Sequence, residues 1–501
     1  MATAQRFHLL ALIAFACLWG AAHPTAAAES TSVLMHHNDA ARSGLYVVPS
    51  LTWERAPGVR PDPGFAARFS GTVYAQPLYW QPPGSSPAMV LVATEDNAIY
   101  ALDAESGKEV WHRTLGNPVP RSALSCGNID PLGITGTPVI DAKRGALYAD
   151  AAIKDEAGIH HKLFALSLKD GAPLAGWPID VGDALKRDEV AFNARDQSER
   201  GALAILDDTL YVPFGGHFGD CGDYHGMVVG VALAEPHRVH SWGTRGRGGG
   251  IWAPGGISSD GRDLFVATGN TLNAREWSDG EAAFRLRADL RHSERPEDFF
   301  ALKNWREADD TDADLGGTNV LPLDVPRTNG PERLLLALGK DRHAYLLDRD
   351  NLGGVGGSLV AESVATRAIR TAPTAYPVAD GMNVAFQGEG AACPHRRPDN
   401  DLTALKITPG SPPRLETAWC AAFRGAGAPI VTTTDGRQNP IVWVVGAEGD
   451  NRLHAFKGDT GEPLAGERGE AMTGLHRFQT LIATKDRLYV AADGRVYAFQ
   501  F

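Results

Sequence analysis

The stretch Met89-Val-Leu-Val-Ala-Thr-Glu-Asp-Asn-Ala-Ile-Tyr-Ala-Leu-Asp-Ala-Glu-Ser-Gly-Lys-Glu-Val-Trp111 decides the fold. Two alternating, β-rich runs meet at the turn pair Asp96-Asn97, and Gly107 then bends the chain into a third run that ends on Trp111. Weaker copies recur at Arg452–Gly461, Arg342–Asp348 and Arg495–Phe499, each with an apolar run expected just upstream. Those upstream runs begin near Gln76, Thr137, Ala202, Gly255, Thr318, Ala372, Gly427 and Gln479, at intervals of about 52 to 65 residues. A unit of four strands cannot bury both faces of its sheet alone, whereas radial stacking hides the faces and leaves only short edges. The spacing therefore predicts an all-β fold, an eight-bladed β-propeller of four-stranded antiparallel blades. Two packed sandwiches are the alternative, but the rhythm runs without a linker from about residue 130 to 480.

The last unit reaches Phe501 with three strands, so the missing strand is expected from Phe65–Ser70, closing the ring. The propeller is thus placed at residues 65–501, behind an N-terminal extension at 29–64. A charged insertion is expected at 285–313 between blades four and five, partly helical or, on the plainer reading, a solvated loop.

Residues 1–28 read as an export signal: Arg6, an apolar run from Leu9 to Leu18, and small residues ending at Ala28. No other run approaches membrane length, so no transmembrane segment and a periplasmic or secreted location are expected. The net charge of -12 argues against nucleic acid as a partner. Beyond the signal remain Cys126, Cys221, Cys393 and Cys420, an even number suited to disulfides in an oxidising compartment. Strand order puts Cys126 and Cys221 on one face of the ring and favours the pairs Cys126–Cys221 and Cys393–Cys420. No C-x-x-C-H run is present, so electrons would need an external acceptor.

The repeat resembles that of pyrroloquinoline-quinone (PQQ) propellers over essentially the whole chain after the signal. A sharper likeness spans blades four and five. Gly248-Gly-Gly-Ile-Trp252 followed by Leu264-Phe-Val-Ala-Thr-Gly-Asn270 is similar to the stretch of PQQ-dependent alcohol dehydrogenases in which a Trp floors the quinone and an Asn binds Ca²⁺. Asp312-Ala-Asp-Leu-Gly-Gly-Thr-Asn319 resembles the segment with the catalytic Asp, which falls on Asp314, and Lys340 matches a Lys or Arg that contacts the quinone oxygens. The resemblance implies PQQ on Trp252 and Lys340, Ca²⁺ or another divalent cation on Asn270, Asp312 and Asp314, and Asp314 as catalytic base.

The residue types suit that chemistry independently. An indole face holds a flat aromatic, oxygen ligands suit a hard cation, and a carboxylate accepts an alcohol proton while an ammonium stabilises developing negative charge. Singly, each has a plainer reading: Trp252 as tunnel filler, Asn270 as a turn residue, Asp312 and Asp314 as loop acceptors, Lys340 as a turn lysine. The chain also departs from the family. One cysteine stands where the dehydrogenases have an adjacent pair, the Arg shortly after that pair is missing, and only Asp220 and Asp223 lie near the place of a metal-binding Glu. His217, His225 and Asp223 are further candidate metal ligands, and Glu389 and Arg370 candidate axial groups. His36-His37-Asn38-Asp39 with Arg42 reads as a channel plug or as a hydrogen-bonded cap.

Two functions follow. One is a quinoprotein-type oxidoreductase acting on an alcohol-like substrate with an external acceptor. The other is a non-catalytic propeller that binds a protein or an envelope polymer.

Overall fold

The computed structural model describes Met1 and residues 32–84, 86–327, 332–394, 399–465 and 471–501. The export signal expected at residues 1–28 otherwise lies outside the described residues. Eight sheets follow one another along the chain, their innermost strands at Leu78–Trp80, Val139–Asp141, Ala204–Leu206, Ser258–Ser259, Leu321–Val325, Thr374–Val378, Ile430–Thr433 and Ile482–Ala483. Within each sheet successive strands pair antiparallel, so the fold is the eight-bladed propeller. Each inner strand begins two to three residues after the apolar run read from the sequence.

The blades stack face to face through apolar side chains. Leu91 and Ile99 of the first blade pack with Leu147 and Phe164 of the second, and similar clusters join each later pair. One further cluster unites blades seven, eight and one and so seals the ring. The repeat's Trp serves this stacking: Trp111 Nε1 donates to Leu168 O at 3.1 Å in the next blade. Gly171 lies under its ring with φ +68°, and a Cβ there would meet Trp111 at 2.6 Å, so only glycine fits. Trp419 docks likewise on the seventh blade, donating to Gly458 O at 2.8 Å.

In the last blade, Arg60–Pro61 and Ala67–Arg68 pair antiparallel with the C-terminal strand Arg495–Gln500. The segment ahead of them is no loose extension. Leu45–Val47 adds a parallel strand to the inside of blade seven, and residues 33–44 wind through the channel, bonding the inner strands of most blades. Arg42 is fully buried there. Its guanidinium donates to His36 O, Leu203 O and Ile257 O at 3.0, 2.7 and 2.9 Å. The stretch from His36 to Arg42 is therefore a plug at the ring axis.

The charged stretch 285–313 follows its expectation only in part. Phe299–Ala301 is the fourth strand of blade four, and Arg285 is buried, with Nη2 2.7 Å from Asp298 Oδ1. Its Nη1 donates to the carbonyls of Arg349 and Asp350, so this charge binds strand ends together, whereas most of 287–297 is exposed and outside any strand, as a solvated loop would be. Helix Trp305–Thr311 follows the strand Phe299–Ala301. No helix among the described residues is long and apolar enough to cross a membrane.

Candidate functional site

Links between blades and the turns joining second to third strands emerge on one face, around an axial cavity of about 380 Å³. Trp252, from the link into blade four, and Asn270, at the end of that blade's second strand, both line it. Asp312 and Asp314, from the link into blade five, and Lys340, from the turn after Glu332–Leu338, complete the group. The structure thus brings all five residues singled out in blades four and five into one pocket.

Asp314 is its centre and is 1% exposed. Its Oδ1 accepts from Asn270 N at 2.9 Å, and its Oδ2 accepts from Trp252 Nε1 at 3.2 Å. Lys340 Nζ stands 2.5 Å from the same Oδ2 and 2.5 Å from Asp312 Oδ1. The ammonium also lies 5.0 Å from the centre of the Trp252 ring, a cation–π distance. Burial pushes the Asp314 carboxyl above its ordinary range, against the pull of Lys340. For Lys340, burial disfavours the charge, but Asp314 and Asp312 outweigh it and hold the ammonium above its usual value. Beneath them Glu281 accepts from Leu315 N at 2.7 Å, and its carboxyl is raised by burial and then by Asp314.

This geometry does not offer the oxygen cage expected for a divalent cation. Both oxygens of Asp314 are already engaged, and the Lys340 ammonium occupies the position between the two carboxylates. His217, His225 and Asp223 do not converge either. His217 Nε2 bonds Arg195 O at 3.0 Å, His225 Nδ1 bonds Thr244 O at 2.9 Å, and Asp223 is held through its backbone by Asp196. Among the described residues no cluster of three or more His, Cys, Asp or Glu side chains has metal-binding geometry.

The disulfides are Cys126–Cys221 and Cys393–Cys420. The first ties the link between blades one and two to the loop carrying Phe218, Gly219 and Asp220, which line the cavity. Arg370 also lines it, whereas Glu389 lies in the adjoining groove. Sequence reasoning missed Arg200 and Phe478 at the cavity floor. A signal existed: Arg200, Arg370 and Phe478 each stand four residues before the first residue of their inner strands, Ala204, Thr374 and Ile482.

Residues 51–217 match the family described as outer membrane protein assembly factor BamB. Among solved structures, a quinohemoprotein alcohol dehydrogenase from Comamonas testosteroni is 15% identical with a TM-score of 0.64, covering 94% of this chain and 81% of that one. The quinohemoprotein alcohol dehydrogenase ADHIIG from Pseudomonas putida HK5 is 13% identical with a TM-score of 0.64, covering 94% and 80%. A europium-containing methanol dehydrogenase is 13% identical with a TM-score of 0.63, covering 94% and 98%. At these identities the likeness is one of fold. No curated protein matches in sequence.

Proposed function

We propose that this chain, a PQQ-like eight-bladed β-propeller, is an extracytoplasmic quinoprotein-type oxidoreductase that oxidises an alcohol or a similar reduced carbon. The observation that carries the reading is the convergence of Trp252, Asn270, Asp314 and Lys340 on one axial cavity. Two disulfides support an oxidising compartment.

The residues present suit a flat anionic quinone. The indole of Trp252 offers an aromatic wall, the volume suits a tricyclic molecule, and Arg200 presents a guanidinium without a hydrogen-bond acceptor among the described residues. Trp252, Lys340 and Arg200 would hold it. When bound, such a quinone supplies a two-electron acceptor that takes hydride from the alcohol carbon and is reoxidised by an external acceptor.

The chain's own part is proton transfer and charge stabilisation. Asp314 accepts the hydroxyl proton, and burial makes it a stronger base than an exposed aspartate. Trp252 Nε1 and Asn270 N fix its two oxygens, so its orientation is set before substrate arrives. Lys340 pulls its carboxyl back down against burial and provides positive charge where negative charge develops. The carboxylates as arranged do not suit a divalent cation, and no step is assigned to one.

Calorimetric titration of PQQ into the protein, beside Asp314→Ala and a dye-reduction assay with alcohols, tests the reading. Saturable heat with turnover that Asp314→Ala abolishes supports it. No heat and no turnover overturns it and selects the second reading, a non-catalytic propeller that binds a protein or envelope polymer through this face. One observation favours that rival: Phe218, on the cavity rim, is 70% exposed.

A further inference from the structure

Four cationic side chains line the axial cavity: Arg200, Lys340, Arg370 and Arg477. Two are already neutralised. Lys340 is gripped by Asp312 and Asp314, and Arg477 Nη2 lies 2.7 Å from Glu448 Oε2. The remaining acid of the wall, Asp220, is engaged by the Tyr224 hydroxyl at 2.6 Å. Arg200 and Arg370 are different. Among the described residues neither side chain has a hydrogen-bond acceptor or an ion-pair partner.

For Arg200 this is physically conspicuous. A guanidinium carries five N–H donors, and one withdrawn from bulk water without acceptors is costly. It lies over aromatic faces, 5.0 Å from the ring centre of Phe478 and 6.0 Å from that of Trp252. Aromatic packing on a guanidinium holds its plane while leaving the N–H fork free, which pre-organises it for a carboxylate. Arg370 adds a second free fork where the cavity opens into the neighbouring groove. The chain as a whole has a net charge of -12, so two uncompensated guanidiniums on one cavity are a local reversal of sign.

We infer that Arg200 and Arg370 are the carboxylate anchors of the axial cavity, whose ligand is a flat aromatic acid with at least two carboxylates. The inference deepens the quinone reading and rests on it for the identity of the ligand, not for its chemical class. It also accounts for the missing Arg after Cys126: the anionic end of the ligand is met from the links into blades three and six. Arg200 is then the residue that sets specificity, because a neutral quinone of the same shape leaves its donors unpaired.

The test is calorimetry with three probes on the full chain: PQQ, its trimethyl ester, and pyridine-2,4-dicarboxylate. The inference expects PQQ to bind, the ester to bind at least about 100-fold more weakly, and Arg200→Gln to weaken PQQ roughly 10- to 100-fold. Arg200→Lys, which keeps charge but loses the fork, recovers only part of this. Arg370→Gln, at an exposed position, gives a smaller loss and tests the same idea should Arg200→Gln fail to fold. Equal binding of acid and ester, or PQQ binding unchanged in Arg200→Gln and Arg370→Gln, overturns the anchors while leaving the quinone reading in place. Binding of pyridine-2,4-dicarboxylate that is lost in Arg200→Gln, with no heat from PQQ, overturns the quinone reading and supports the anchors. No heat from either acid overturns the inference.

Discussion

Lys340 Nζ lies 2.5 Å from Asp314 Oδ2 and 2.5 Å from Asp312 Oδ1, so one ammonium from the fifth blade neutralises two carboxylates of the link that leads into it. Removing it leaves Asp314 buried and uncompensated, which costs far more than the pair contributes net. Lys340→Met is expected to lower unfolding free energy by about 3 kcal/mol in urea denaturation. Adding Asp314→Asn should return most of that loss, because no buried charge then remains. A double variant as unstable as the single would show that packing, not charge, sets the cost.

Arg42 makes a second prediction, in the plug. Its guanidinium satisfies three backbone carbonyls from the plug and from blades three and four, all in a buried setting. Arg42→Met keeps the stem but strands those acceptors, at about 1 to 3 kcal/mol each and not additively. We expect a loss of at least about 3 kcal/mol in urea denaturation, with blades three and four losing amide-exchange protection first. Uniform protection across the ring would contradict a local role.

The cavity and the plug differ in how far the sequence announces them. Blade number and inner-strand positions were legible because an apolar run recurs eight times, and register in a half-buried sheet is set by that pattern. Trp252, Asn270, Asp314 and Lys340 were legible through the resemblance, and their convergence follows once links and turns share a face. The plug's polar stretch was noticed, but its partners were not. Arg42 bonds carbonyls 161 and 215 residues away, and a carbonyl is present at every position, so no side-chain pattern marks the acceptor. Within the charged run 285–313 only Arg285 and Asp298 escape the sequence, for a related reason: they neutralise one another in three dimensions, which composition reads as two solvated charges. Arg200 was within reach, since the repeat register fixes which link residue faces the axis.

Glu95 ties the first blade to the link that follows it, accepting from Gly133 N at 2.7 Å and Thr135 Oγ1 at 3.1 Å, while its Oε1 is buried without a partner. Burial raises its carboxyl from 4.5 to about 7. The folded state therefore holds the proton more tightly than the unfolded chain. Its stabilising contribution is present below pH 4.5 and is lost as pH rises through about 7, by about 3 kcal/mol in all. Glu199 and Glu281, also raised by burial, act in the same direction. His36 and His37, held low by burial, act in the opposite direction, so the test is the difference: from pH 4.5 to 8 the urea midpoint of Glu95→Gln should fall less, or rise more, than that of the parent chain. An unchanged slope in that variant would assign the pH dependence elsewhere.

The two disulfides should differ both in stability and in what they do to the cavity. Cys126–Cys221 closes 95 residues and Cys393–Cys420 closes 27, so the chain-entropy model assigns them about 5 and about 4 kcal/mol. That difference is small beside their difference in position. The longer bridge pins the loop with Phe218, Gly219 and Asp220 against the link from blade one, beside the floor made by Trp252, whereas the shorter one joins parts of blade six. Paired serine substitutions, Cys126→Ser with Cys221→Ser and Cys393→Ser with Cys420→Ser, should both lower the melting temperature. Only the first pair should also weaken ligand binding in the axial cavity, because freeing that loop adds an ordering cost to each binding event. Equal affinity in both double variants, beside unequal melting, would mean that the cavity wall is held by Tyr224 and Asp220 without help from the bridge.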